Sequence, residues 1–458
     1  MNVARLNFSH GTHETHRRFF DWVRVASDEA GVPVAVLQDI QGPRIRIGTF
    51  PGGSVRLETG DEVRLTPGAG EGDERTIFVE NIDAADLRSG SPILAADGLV
   101  VMETMSATDG AVRARVTEGG VLHDHKGVAF PGTLVDIPVI TAKDEIDLAF
   151  GQELGVDYVA ASFVASGEDI RMVKKLAQGT PVIAKIESAV GYANLDDILD
   201  EAAGAMVARG DLGVELSFEA VPHAQQDILA RTNAHSRISI TATEMLESMT
   251  NSPRPSRAEV TDVSNAVLDG SDAVMLSAET AVGKFPVRAV AAMDRICVEA
   301  EGGAGYGRGP DIHFLEDYAR FASATAQACV DAATNLGITT IVAFTESGST
   351  ARLISKYRPR ADIYAYTPLA STYRRMAIFA GVTPLMFGRV ESTDEMIAYA
   401  EANLVADGIL SRGDAFVMAA GIPPNQAAAT NLMKLHSIGA TTSGIPRGKG
   451  NGEESDGD

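Results

Sequence analysis

Pro181-Val-Ile-Ala-Lys-Ile-Glu187, followed by Gly204-Ala-Met-Val-Ala-Arg-Gly-Asp211, is a pair of short apolar runs that each finish in charged residues. Side chains alternate along a strand, so this reading puts Lys185 and Glu187 on one face, and Arg209 and Asp211 on one face. Two carboxylates with a Lys and an Arg at converging strand ends describe a divalent-metal site that handles a multiply charged anion. The chemistry that suits such a site is phosphoryl transfer or enolate formation.

Outward from these two runs, strand-like segments recur at 3–8, 34–39, 157–163, 238–245 and 273–279. Helical patterns separate them at 12–30, 143–154, 167–177, 194–201, 218–234 and 257–268. Thr141 with Asp144 reads as a helix start, and Ser256 with Glu259 as a capping box. Repeated β-α units with continuous apolar strands predict a parallel sheet buried on both faces, here an α/β fold of the (β/α)8 TIM-barrel type. The barrel is expected over 1–46 and 133–300. Residues 47–132 change texture to short alternating runs with Gly, Asp and Pro turns, which predicts an inserted all-β lid domain, a small β-barrel. A Gly-rich linker, 301–310, leads to a further α/β domain over 311–444, and the tail 445–458 has the composition of a disordered segment.

Bulk composition limits what the chain does. A length of 458 residues, with 45% apolar and 22% charged residues, is enough for two or three domains with sizeable cores. The net charge of -23 argues against nucleic acid as a partner, since phosphate binding wants a basic face. An anionic substrate would need a local cationic pocket and a metal against that overall field. Cys297 and Cys329 have no metal-ligand spacing and make no disulfide framework, so a reducing, cytoplasmic setting is the expectation. No apolar run approaches a membrane span, and the first residues carry no signal pattern.

Several other polar groups invite a role. In Arg5-Leu6-Asn7-Phe8-Ser9-His10, residues Arg5, Asn7 and Ser9 share a face; an edge strand with a solvated side is the bland alternative. Asp39 ends the next strand, and Gly42-Pro43-Arg44-Ile45-Arg46 follows it. Thr241-Ala242-Thr243-Glu244 is weak by composition, because Thr is common in strands. Ser277 and Glu279 read equally as polar core or as support for a site. Thr345-Glu346-Ser347-Gly348-Ser349-Thr350 joins a strand to a helix, a place that suits a phosphate or plain capping alike. His13 and His16 fit a solvated helix start.

It is the order of motifs along one chain that points to a family. Asn2-Val-Ala-Arg-Leu-Asn-Phe-Ser-His-Gly11, Asp39-Ile-Gln-Gly-Pro-Arg-Ile-Arg46, Lys126-Gly-Val-Ala-Phe-Pro-Gly132, Ile183-Ala-Lys-Ile-Glu187 and Met206-Val-Ala-Arg-Gly-Asp-Leu-Gly-Val-Glu215 come first. Ala242-Thr-Glu-Met-Leu-Glu-Ser-Met249, Arg257-Ala-Glu259, Asn265-Ala-Val-Leu-Asp-Gly270 and Met275-Leu-Ser-Ala-Glu-Thr-Ala281 follow. Together they closely resemble pyruvate kinase, and Lys356-Tyr-Arg-Pro-Arg360 extends the likeness into the last domain.

The resemblance implies phosphoryl transfer from phosphoenolpyruvate to ADP, giving pyruvate and ATP, by a homotetramer. By motif match, Glu187 and Asp211 would bind Mg2+ (or Mn2+), and Lys185 would lie against the transferring phosphoryl group. The backbone around Ala208, Arg209 and Gly210 would bind the substrate carboxylate, with Ser162 nearby. Thr243 matches the residue linked to enolpyruvate protonation, with Ser277 in a proton relay. Arg5, His10, Arg46 and Lys126 match phosphate- and nucleotide-side positions, and Asp97 a lid position. Asn7, Ser9, Asp39 and Ile40 match a monovalent-cation site. Thr345, Ser347, Ser349 and Thr350 match a loop for a phosphorylated effector.

Departures from the family pattern carry expectations of their own. Ile40-Gln41 and Arg44 resemble the potassium-independent type, in which a fixed cationic side chain replaces the ion, so K+ is not expected to be required. That exchange alters the local charge by about two units. Glu244 stands where Gln is usual, Ala165 where many relatives have Arg, and Ala96 where an Asp pair is common. Glu346 and the later loop Gly421-Ile-Pro-Pro-Asn425 favour a monophosphate effector, or none, over fructose 1,6-bisphosphate. Seven barrel strands can be counted where the fold has eight. Met1 therefore reads as an internal Met used as a start, with a longer natural product or poor activity expected. A truncated non-catalytic paralogue and a Mg2+-dependent lyase on the same barrel are the rival readings.

Overall fold

The structure is a computed structural model that describes residues 1–82, 86–96, 98–108, 110–133, 135, 137–307, 317–390, 392–422 and 430–440. The expectations for Asp97, for most of the loop after Ile422 and for the tail fall outside these residues. The chain divides into two compact units, Met1–Leu315 with Ala377–Ala380, and Glu316–Met376 with Gly381–Asp458.

In the first unit seven parallel strands form one sheet, in chain order: Val3–Asn7, Ala35–Asp39, Tyr158–Ala161, Val182–Ile186, Gly204–Ala208, Ile238–Ala242 and Ala273–Val274. Among the described residues the first and last of these are not paired with each other. The five middle strands are buried along their whole length, as expected for a parallel sheet covered on both faces. Val36, Val159, Ala184, Val207 and their helical partners Leu148, Ile170, Ile198 and Ile228 belong to one continuous core.

The helices begin where their caps dictate. Thr141 caps Ala142–Leu154 and Ser256 caps Arg257–Leu268, each in a reciprocal box with the acid three residues on. Ser166 with Asp169 makes a further box ahead of Gly167–Leu176. Gly42, at φ 65°, illustrates a position closed to other residues, since a Cβ there would lie 2.8 Å from the Ser162 Cβ.

The segment after the second strand leaves the sheet as an all-β insertion, as its texture predicts. A six-stranded sheet runs in the order Val128–Ala129, Pro92–Ala95, Val100–Thr108, Ala111–Glu118, Glu62–Pro67 and Thr76–Val79, and a second pair joins Ser54–Leu57 to Gly120–His123. Their inward residues, among them Leu65, Ile77, Ile93 and Val116, close a separate core. Pro92–Ala95, Gly120–His123 and Val128–Ala129 were not anticipated as strands, and Val128–Ala129 is only two residues long.

The second unit carries a five-stranded sheet in the order Val382–Met386, Asp362–Thr367, Thr340–Phe344, Ala415–Gly421 and Thr430–Ser437. The last strand is antiparallel and was not anticipated. Its polar and charged residues alternate with apolar ones at a sheet edge, a weaker signal than a buried parallel run.

Candidate functional site

Charged side chains collect at the carboxyl ends of the barrel strands. The Lys185 Nζ lies 2.8 Å from the Glu187 Oε1 and 3.3 Å from the Asp39 Oδ1, and donates to the Ser162 Oγ at 2.7 Å. Ser162 in turn donates to the Ile40 carbonyl at 2.7 Å. The other Glu187 oxygen accepts from the Phe163 backbone N–H at 2.7 Å. The other Asp39 oxygen accepts from the Arg5 Nε at 2.6 Å. One chain of alternating charge, Arg5–Asp39–Lys185–Glu187, thus draws on three strands and the turn after one of them, passing across the strand Tyr158–Ala161.

All four groups sit together because parallel register brings these strand ends level. Asn7 pairs with Asp39, and Ala160 with Asp39 and Ile183. Asp39, Lys185 and Glu187 are buried, and Glu187 is only 1% exposed. Burial works against the Lys185 ammonium, yet the Glu187 and Asp39 carboxylates outweigh it and hold the amine above its ordinary range. Glu187 is pushed up by burial and by the negative charge of Asp211, against the pull of Lys185. The Asp39 Oδ1 makes no hydrogen bond, so its 3.3 Å approach to Lys185 is an ion pair that leaves a buried acceptor free.

Arg209 and Asp211 do not share a strand face, contrary to the expectation. The strand stops at Ala208, and Arg209–Glu215 is a helix, so the two side chains point in different directions. Asp211 is exposed. Arg209 turns aside, and its Nη1 donates to both Asp262 carboxylate oxygens, at 2.7 and 2.8 Å. Its guanidinium also donates to the Thr243 carbonyl at 2.6 and 3.1 Å.

Those contacts hold an unusual turn. Thr243 and Glu244 are consecutive non-glycine residues at φ 67° and 53°. The left-handed region costs such residues about 1 kcal/mol each. The Thr243 Oγ1 accepts from the Gly210 N–H at 2.9 Å and donates to the Ala242 carbonyl at 2.7 Å. Glu279 is fully buried and accepts from the Leu246 and Ser277 backbone N–H groups at 3.0 and 2.7 Å. The Ser277 Oγ is out of solvent and has no hydrogen-bond partner.

The remaining expected residues fall in varied surroundings. The Asn7 Oδ1 accepts from the Ser9 N–H at 3.1 Å, and His10 is exposed. Ile40 is buried, its N–H donating to the Ala160 carbonyl at 3.1 Å. Arg44 is exposed, and the cations that meet Asp39 are Arg5 and Lys185. Arg46 donates to the His125 carbonyl of the insertion at 2.9 Å, and Lys126 beside it is exposed. In the second unit the Thr345 Oγ1 accepts from the Gly348 N–H at 2.9 Å, Ser347 meets Ser349 at 3.0 Å, and Thr350 meets Thr430 at 2.8 Å. These hydroxyls brace the turn before helix Ser349–Lys356 and its first residues, while the residue at the helix start, Gly348, supplies no side-chain cap. His16 departs from the solvated reading: it is buried and stacked on Phe8 at 4.0 Å.

Asp262 was missed altogether, because an acidic residue within a helix carries no local signal of the distant Arg209 it meets. As for a metal, no group of three or more His, Cys, Asp or Glu side chains is poised to hold one among the described residues. Glu187 and Asp211 remain as hard oxygen donors close enough to repel each other. That pair suits a divalent cation which takes few protein carboxylates and fills its shell with substrate and water.

Fold and site together define a β/α-barrel enzyme class with an anion- and cation-handling cluster at the carboxyl ends of its strands, where barrel active sites lie. A family model described as "Pyruvate kinase, barrel domain" matches residues 1–290, and one described as "Pyruvate kinase, alpha/beta domain" matches residues 323–436. The chain is 40% identical over 464 residues to a pyruvate kinase of Staphylococcus haemolyticus, covering 98% of this chain and 78% of that protein. Identity to a pyruvate kinase of Geobacillus stearothermophilus is also 40% over 464 residues, covering 99% and 78%. Against a pyruvate kinase of Sporosarcina psychrophila it is 38% over 463 residues, with the same coverage. The chain belongs to the pyruvate kinase family.

Proposed function

We propose that this protein transfers the phosphoryl group of phosphoenolpyruvate to ADP, giving ATP and, after protonation of the enolate carbon, pyruvate. The observation that carries this reading is the buried Lys185, held by Glu187, Asp39 and Ser162 at the strand ends of a chain in this family. The ester P–O bond of phosphoenolpyruvate breaks as a β-phosphate oxygen of ADP bonds to phosphorus. Lys185 neutralises the moving phosphoryl group, in a site where water is scarce and the charge is worth most. Arg5 faces the same group from across Asp39. The backbone around Ala208–Gly210 receives the substrate carboxylate, the Gly210 N–H giving up its bond to the Thr243 Oγ1 to do so. Thr243, with Ser277, stands on the proton path to the enolate. His10, Arg46 and Lys126 meet the nucleotide.

Mg2+ or Mn2+ would be held by Glu187 and Asp211, and when bound would supply charge neutralisation to carboxylate, enolate and phosphate oxygens. Arg5 and Lys185 already compensate Asp39. This supports a site at Asn7, Ser9, Asp39 and Ile40 that works without K+. Exchanging KCl for a tetraalkylammonium salt should leave the rate within about tenfold, given the charge already present; a larger loss overturns the potassium reading.

The domain reading remains a barrel over 1–46 and 133–300, a lid over 47–132 and an α/β domain over 311–444. The hydroxyls of Thr345, Ser347, Ser349 and Thr350 are the place for a phosphorylated effector. A homotetramer in the cytoplasm is the expected form; no helix among the described residues is long and apolar enough to cross a membrane.

A coupled assay tests the whole reading. Pyruvate should form from phosphoenolpyruvate only when both ADP and a divalent cation are present. Release of pyruvate without ADP would instead mark a lyase or phosphatase.

A further inference from the structure

Where the first strand ends, the backbone leaves the sheet and its next carbonyls need partners. The Phe8 carbonyl accepts from the Lys143 Nζ at 2.6 Å. The His10 carbonyl pairs with the His16 Nε2 at 2.8 Å. These two side chains come from different helices, Ala142–Leu154 and His13–Ala30. Between the two fixed carbonyls stand Ser9 and His10, the second of them read as a nucleotide-side residue.

Lys143 is itself fixed. Its Nζ lies 2.5 Å from the Asp147 Oδ2, and the other Asp147 oxygen meets the His13 Nε2 at 2.7 Å. Asp147 is only 3% exposed, so its charge needs a partner that cannot drift away. The His13 ring stacks on Phe150 at 4.1 Å, which fixes the far side of the carboxylate. Lys143 thus spans from a buried anion to a loop carbonyl, although half of its own side chain faces solvent.

We propose that Lys143, anchored by Asp147, is a positioning residue that sets the backbone of loop 8–11 and so the placement of His10 toward the nucleotide. It acts through the Phe8 carbonyl and touches no reacting atom. The proposal rests on the reading of this loop as nucleotide-facing.

The test compares Lys143→Met, Lys143→Arg and His10→Ala in the full chain, measuring KM for ADP and for phosphoenolpyruvate, kcat and the melting temperature. Loss of one charge-assisted hydrogen bond to the loop is expected to raise the ADP KM about tenfold in Lys143→Met. The phosphoenolpyruvate KM should stay within about twofold, because the Lys185 cluster is held by other bonds. Lys143→Arg keeps a donor and the charge for Asp147, and should recover most of the ADP affinity. His10→Ala should raise the ADP KM as well. A normal ADP KM in Lys143→Met beside a raised one in His10→Ala overturns the positioning role alone. A normal ADP KM in His10→Ala removes the nucleotide reading and the proposal with it. A parallel rise of both KM values in Lys143→Met, unrelieved by Lys143→Arg, would mean a merely structural lysine.

Discussion

Lys185 shows how much one buried ammonium organises at the residue scale. Two carboxylates, one hydroxyl and a carbonyl beyond it are arranged around its charge. Replacing it by methionine leaves Asp39 and Glu187 buried with less compensation, and breaking such a set costs about 3–5 kcal/mol. Lys185→Met should therefore melt at a lower temperature and lose about 10²–10³ in kcat. Thermal unfolding and the coupled assay measure the two effects separately. His16 makes a second prediction. Burial lowers its pKa, against the pull of the His10 carbonyl and Asp147, with His13 and Lys143 adding to the depression. A folded pKa below the unfolded one means that the unfolded chain takes the proton more readily. Stability is then undiminished above the unfolded value of about 6.5 and falls as the pH drops below it. Melting temperature should decline from about pH 7 to pH 5, and less steeply in His16→Gln, which keeps a donor for the His10 carbonyl. Equal slopes in both proteins would exclude His16 as the source.

At the scale of elements, capping boxes and apolar strands were readable before any fold was known. Thr141 and Ser256 announce their helices, and the helix Arg257–Leu268 has the limits its pattern indicates. The turn from strand to helix at Ala208 was not readable. Arg-Gly-Asp-Leu-Gly-Val-Glu holds two glycines among seven residues, so local propensity opposes the helix that packing imposes. The same packing turns Arg209 onto Asp262 and the Thr243 carbonyl. Asp262 then supports a left-handed pair, Thr243 and Glu244, that would otherwise relax. Asp262→Asn removes the charge that holds the Arg209 Nη1 and should lower kcat by about 10²-fold through misplacement of the Thr243 hydroxyl, with a smaller change in phosphoenolpyruvate KM. An unchanged kcat would show that the turn holds itself.

The whole molecule consists of two units that each close a core of their own, around Val36, Ala184 and Val207 in one and Val342, Phe416 and Met418 in the other. Independent cores predict more than one calorimetric transition on heating, with the van't Hoff enthalpy below the calorimetric one. A single transition with equal enthalpies would contradict this. By itself the sequence determined most of the parallel strands and their helices, the inserted β segment, the later α/β unit and the family, since apolar periodicity, turn residues and ordered motifs are local properties. It also singled out Lys185, Glu187 and Asp39 as charges at strand ends. Only the tertiary structure decided which charges meet: Arg5 with Asp39, Asp39 with Lys185, Arg209 with Asp262, and Lys143 with the Phe8 carbonyl. These partners lie far apart along the chain, and parallel register and helix packing, which no local pattern encodes, bring them within a few ångströms.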